Sequence, residues 1–341
     1  MTDLKELYYA VKKNIDKVDF SKLWAYFKPL KFALYNDNSC FYNGEYIEKT
    51  DDFVGNTAIN FKGEIIAIWN IFEDTDPLIL ASKIVHEMFH GFQLLNNESR
   101  FPNELDALYN YKYDNDNLSL KLEENNLIVE LLNEFNIDKF NQFKKIRKFR
   151  SIHFKYEYHY ECMIEQIEGS ANFVELNALK QLDNDIYLDK LKSLKESILI
   201  DGNLLPIRII SYDIGALLLI LLNENNISYN LEFNDITFSE SIISNTELEE
   251  IKPLKNLQNI IDRYYKNADK IITETILKND IVISKPCDII CVNVYNAIYY
   301  KNYIITRYFV MINDGKENII KYGDFLVETL IPNKTSKIYK I

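Results

Sequence analysis

The chain has 341 residues, 47% hydrophobic and 26% charged, with nine glycines and seven prolines, a composition that excludes disorder and allows a substantial core. A formal net charge of −12 argues against nucleic acid as a partner, because phosphate binding needs a basic face. No run approaches the ~18 apolar residues of a membrane helix and the start has no apolar signal core, so no membrane association is expected.

In chain order, residues 4–18 read as an amphipathic helix, and "KFALYN", "CFYNGEYIEK" and "NTAINFKGEIIAIWN" as strands. The last forms a hairpin: Thr57, Ile59 and Phe61 alternate, Lys62-Gly63 supplies the turn, and Ile65 to Trp69 return. A helix then begins at Pro77 under an Asp76 cap, runs through Leu95 and ends at Asn96-Asn97. From about 103 to 270 the pattern is mostly helical, with loops near 114–118, 183–187, 201–206 and 224–240. Within it, "KKIRKFR" at 144–150 reads as a solvated basic face with some Arg pairing, and "IGALLLILL" at 214–222 as a buried helix.

After about residue 279 the texture changes to short β-branched and aromatic runs, from "DIVISK" to "DFLVETLI", divided by Lys-Asn, Asp-Gly and Gly-Asp turns. The expected fold is α+β: a mainly helical domain over 1–275 with a small N-terminal β-sheet, then a C-terminal antiparallel β unit over 279–341. The four cysteines, Cys40, Cys162, Cys287 and Cys291, lack the spacing of a disulfide scaffold, and a reducing cytoplasm is the expected compartment.

The stretch "KIVHEMFHGFQ" at 83–93 carries the chemistry. On a helix, His86 and His90 share a face about 6 Å apart and can hold one zinc ion through two imidazoles. Glu87 lies about 100° round the helix, placed to take a proton from a zinc-activated water rather than to bind the ion. This is the H-E-x-x-H arrangement of metallopeptidases, and two buried histidines on one helix face are its structural alternative. Two imidazoles and a carboxylate favour zinc over magnesium or calcium.

A third ligand is required. His153 and His159 are available, but "ECMIEQIEGSANFVEL" at 161–176 is stronger, because Glu161, Glu165, Glu168 and Glu175 fall near one face of an apolar helix. A solvated acidic stripe would give the same row. Gly169 sits inside this helix at a cost of ~1 kcal/mol relative to Ala, and Gly91 follows His90 in the same way. Small residues at both places are expected to let the two helices approach closely enough to share a metal.

"HEMFH" with the distant "EGSANFVE" resembles the gluzincin metallopeptidases, over about residues 55–180. The resemblance implies that Glu168 is the third zinc ligand, that Gly169 and Ala171 are its small neighbours, and that Phe173 and Glu175 complete the motif. It further implies a zincin-like metallopeptidase fold in which the hairpin at 56–70 offers an edge strand to an extended peptide. Where some relatives place an Asp to orient a ligand histidine, four residues after the glutamate, this chain has Asn172. A later tyrosine commonly stabilises the oxyanion in the family. Tyr212 is the expected residue for that task, with Tyr158 and Tyr160 as competitors. Arg208 could bind a substrate carboxylate or pair with an acid, and Glu165 could orient a ligand histidine or be exposed. The expected function is zinc-dependent hydrolysis of peptide or protein substrates with Glu87 as general base. The alternative is a non-catalytic zincin scaffold.

Overall fold

The local signals become elements in the computed structural model, which describes residues 3–341. Helix α1 (Leu4–Ile15) is capped by Asp3 and buries Leu4, Leu7, Tyr8, Val11 and Ile15. Strands β1 (Lys31–Tyr35), β2 (Cys40–Tyr42), β3 (Glu45–Ile47), β4 (Thr57–Phe61) and β5 (Glu64–Asn70) come next. They form one sheet in the order β3-β2-β1-β5-β4, parallel only between β1 and β5. Lys62 and Gly63 both have positive φ, 53° and 84°, as a two-residue type I′ turn demands, and Phe61 pairs with Glu64 across it. Strand β4 is therefore an edge strand, with Thr57, Ala58 and Ile59 half-buried.

Alternation separates the faces of this sheet. Ala33, Tyr35, Phe61, Ile66 and Ile68 gather with Phe53 in one cluster. Phe32 points the other way and stacks on Tyr8 of α1, with ring centroids 4.3 Å apart.

Helix α2 (Pro77–Leu95) begins as its sequence dictates: Asp76 accepts from the N–H groups of Leu78 and Ile79 at 2.8 and 3.2 Å, and Asn97 closes the far end in the left-handed region at φ 56°. The helical run resolves into α3 (Glu104–Asn110), α4 (Asn115–Asn133), α5 (Ile137–His153), α6 (Lys155–Ile164), α7 (Ser170–Leu182), α8 (Asn184–Ser197), α9 (Ile207–Glu224), α10 (Phe238–Ser241) and α11 (Gln258–Lys278). Residues 115–118 are not a loop: Asp114 caps α4 through the N–H groups of Asp116 and Asn117. The Asp/Asn cluster there is a helix start. Between α6 and α7 the helix continues through a π-helical turn, Glu165–Gly169.

The chain forms two compact units. One comprises the chain through Phe101, Ile164–Glu196 and Tyr212–Ile242. At its centre α2 packs against α1, α7 and the sheet, burying Leu80, Ala81, Ile84, Val85, Met88, Phe89 and Phe92.

The second unit comprises Pro102–Met163, Ser197–Ser211 and Ile243–Ile341. Its strands are β6 (Ile281–Ile283), β7 (Cys287–Val292), β8 (Ile298–Tyr300), β9 (Tyr303–Thr306), β10 (Phe309–Asn313), β11 (Asn318–Tyr322), β12 (Phe325–Ile331) and β13 (Lys334–Lys340). They form an antiparallel sheet ordered β11-β10-β7-β13-β12-β9-β8, with β6 also on β13. The architecture is α+β. Strand β13 joins three neighbours yet is absent from the sequence pattern, because only Ile338 and Tyr339 of its seven residues are apolar and register shifts against β12 break its alternation.

The basic run of α5 is not simply a solvated face. Arg147 and Arg150 are fully buried with Lys121, Glu124 and Glu161. Arg150 reaches Glu161 at 2.6 Å and Glu124 at 3.0 Å, while Lys121 lies 2.9 Å from Glu161. Phe143, Ile146, Arg147 and Arg150 share one helical stripe, so the periodicity that buries the apolar pair buries the arginines too. Cys40, Cys162, Cys287 and Cys291 are all free thiols. Among the described residues no helix is long and apolar enough to cross a membrane.

Candidate metal centre

The apolar surround of α2 makes its polar residues conspicuous. His86 and His90, one turn apart, bring their Nε2 atoms to 3.0 Å. The Oε2 of Glu168 lies 3.3 Å from the His90 Nε2 and 3.8 Å from the His86 Nε2. Neighbouring ligand atoms around a tetrahedral zinc bound at about 2.0–2.1 Å are about 3.3 Å apart, and the three atoms, at 3.0, 3.3 and 3.8 Å from one another, scatter around that spacing. Among the described residues this is the group of His, Cys, Asp and Glu side chains that gathers closely enough to hold a metal.

The outer ring nitrogens reinforce the arrangement. His90 Nδ1 lies 2.8 Å from Gln93 Oε1. His86 Nδ1 lies 3.3 Å from Glu175 Oε2, an off-axis contact with a group that only accepts. With both Nδ1 atoms carrying hydrogen, two Nε2 lone pairs and a carboxylate oxygen face one point. A cation at that point, whether a shared proton or a metal ion, would relieve the repulsion among the three acceptors.

The titration directions point the same way. Burial lowers the His86 pKa, but Glu168 and Glu175 raise it more, and it stands well above its ordinary value. His90 is raised as well, with burial opposing and Glu168 prevailing. Burial would raise Glu175, yet its contact with His86 leaves it lowered. Glu87 is buried beside both imidazoles; burial pushes its carboxyl up against their pull.

Glu168 reaches this point from the π-helical turn. One extra residue in a turn shifts the phase of the helix beyond it by about 100°. The acidic row is therefore dispersed instead of forming a solvated stripe. Glu161 enters the buried charge network, Glu165 accepts from the Ser239 hydroxyl, and Glu168 and Glu175 turn to the histidines.

The glycines act differently from the sequence expectation. A Cβ on Gly169 would meet the Gly215 Cα at 2.6 Å, so Gly169 lets α9 press onto the π-turn. A Cβ on Gly91 would meet Leu30, Ile65 and Ala58, so that glycine admits the loop before β1 and the β4–β5 hairpin. Neither spaces α2 from α7.

The remaining candidates divide by location. Tyr212 is buried on α9, one turn before Gly215, on the helix that presses on the Glu168 turn. Tyr158 and Tyr160 belong to the other compact unit, where they contact Arg147 and Glu104. Arg208 pairs with Glu104 at 2.8 Å, the acid-pairing alternative. His153 stacks on Phe149, and both it and His159 lie in the second unit. Behind the imidazoles stand Gln93, as acceptor at His90 Nδ1, and Glu175, as an off-axis charged neighbour of His86 Nδ1, and not Asn172.

Sequence reasoning missed Gln93 and Ser170. A polar side chain three positions after His90 on an otherwise apolar helix was the available signal for Gln93. Asp213, beside Tyr212, is pushed up to about 6 by burial, with Lys190 lowering it and Glu175 raising it. Compared with protein-family models, curated proteins and solved structures, the chain matches none of them. The functional reading therefore stands on the geometry of its own side chains.

Proposed function

We propose that the chain is a zinc-dependent metallohydrolase, a peptidase of gluzincin type with a zincin-like fold in the unit that carries α2. The observation that supports this is the convergence of His86 Nε2, His90 Nε2 and Glu168 Oε2 with Glu87 buried beside them. The residues fit zinc in donor type, number and spacing. When bound, the ion supplies Lewis-acid chemistry, polarising a carbonyl and acidifying a water.

The chain's own groups supply the rest. Glu87 takes a proton from the attacking water onto its carboxylate and returns it to the leaving amine. Burial already raises its pKa, which suits a group that must hold and release a proton. Tyr212 offers a buried hydroxyl to the developing oxyanion. The free edge of β4 pairs with an extended peptide main chain. The net charge favours neutral or basic peptides over acidic ones.

The test is zinc stoichiometry together with turnover of a peptide mixture, for the wild type and Glu87→Gln. One zinc per chain in both, with hydrolysis lost in the variant, is the expected result. Absence of zinc from the wild type, or undiminished turnover by Glu87→Gln, overturns the proposal.

A further inference from the structure

We infer that Gln93 is a positioning residue of this centre: its side-chain oxygen locks the His90 ring with Nε2 toward the cation and thereby sets the affinity for zinc. The inference rests on the metal-centre reading and assigns to it a residue outside the H-E-x-x-H pattern.

A chain of donors leaves the Gln93 amide one orientation. The Ser170 hydroxyl donates to the Gln166 carbonyl, so its oxygen is left to accept. Gln93 Nε2 donates to that oxygen at 3.1 Å and to the Ile167 carbonyl at 3.0 Å. A flipped amide would set its oxygen against the Ile167 carbonyl, acceptor against acceptor. The Gln93 oxygen must then face His90, 2.8 Å away, and the ring must carry its hydrogen on Nδ1. Nε2 keeps its lone pair for the ion. Gln93 is 1% exposed, so water does not substitute for it on this path.

Ile167 and Ser170 flank Glu168 in sequence. The amide that orients one ligand thus holds the turn that carries another. A purely structural Gln93 would matter through this tie, and a positioning Gln93 through its oxygen. The two roles are separable, because Gln93→Glu keeps the acceptor for His90 and sets a second oxygen against the Ile167 carbonyl, whereas Gln93→Leu removes both.

Zinc dissociation constants by chelator competition, with imidazole ¹⁵N spectra of the zinc-loaded protein, make the test. The wild type is expected to show a His90 Nδ1–H protected from exchange. Gln93→Leu should weaken zinc binding about 10–100-fold and lose that protection. Gln93→Glu should bind zinc within about threefold of wild type, or tighter, and keep the Nδ1–H. If Gln93→Glu loses affinity and protection, or Gln93→Leu keeps both, the inference is overturned. Should Gln93→Leu not fold, the glutamate variant alone decides. A wild-type chain that takes up no zinc is recognised before any variant is compared; it overturns the metal-centre reading and this inference with it.

Discussion

Gly169 and Gly215 meet backbone to backbone: a Cβ built on the first would stand 2.6 Å from the Cα of the second, and one built on Gly215 would stand 2.8 Å from the Glu165 carbonyl oxygen. The obstacle is main chain on both sides, which no rotamer can relieve. Gly169→Ala or Gly215→Ala is therefore expected to destabilise the fold by about 1–3 kcal/mol in denaturant unfolding. Zinc affinity should fall as well, since Glu168 precedes the contact by one residue. A variant with unchanged stability and affinity would show that α9 can step back without disturbing the turn.

The proposed ligand set, His86, His90 and Glu168, can be tested by substitution. His86→Ala, His90→Ala and Glu168→Ala should each weaken zinc binding by more than the about 10–100-fold typical of losing a hydrogen bond behind a ligand. Glu175→Gln should stay within that range, and Asn172→Ala should leave affinity unchanged. Equilibrium dialysis against a chelator reads all five. Equal losses in Asn172→Ala and Glu175→Gln would show that the contact behind His86 has been wrongly assigned.

The raised pKa of His86 has a direct pH consequence. In the zinc-free chain the proton bridges groups that otherwise repel. That stabilisation is fully present below the unfolded imidazole value, about 6.5, and is lost as pH rises through the higher folded value. Zinc uptake should release protons and tighten with rising pH over the same window. Calorimetry of zinc binding in buffers of different ionisation enthalpy counts those protons; a count of zero at pH 7 would contradict the assignment.

Glu161 behaves in the opposite sense. Burial would raise it, but Arg150 and Lys121 hold its pKa down to about 2. The stability it contributes is present above the ordinary carboxylate value near 4.5 and is lost as pH falls toward 2. Glu161→Gln should destabilise by about 3–5 kcal/mol near neutral pH, because it leaves Arg150 and Lys121 undercompensated, and should flatten the acid limb of the stability profile. An unchanged acid limb would mean that other carboxylates govern acid unfolding.

Much of the fold was legible because its signals are local. Asp76 with Pro77 marks the start of α2, Lys62-Gly63 marks a turn whose φ values both become positive, and the β-rich texture after 279 becomes an antiparallel sheet. Local signals failed where tertiary pairing sets the pattern. Strand β13 has only Ile338 and Tyr339 as apolar residues and its register slips against β12, so only its neighbours reveal it as a strand. The run at 144–150 reads as a solvated face with some Arg pairing; the full burial of Arg147 and Arg150 emerges only where Glu124 and Glu161, from other helices, meet them.

By itself the sequence determined that His86 and His90 share a helix face with Glu87 beside them, because a four-residue spacing and a capped apolar helix leave no other arrangement. The sequence singles out Glu168 only through the resemblance of its motif; how its carboxylate comes to meet the two rings depends on the tertiary structure. A π-turn resets the phase between Glu165 and Glu168, and Gly169 against Gly215 fixes how deeply that turn is packed. The groups behind the rings, Glu175 and Gln93, were settled in the same way. Periodicity fixes directions around one helix axis; the distance between two axes, and so what meets across them, depends on packing that no single segment encodes.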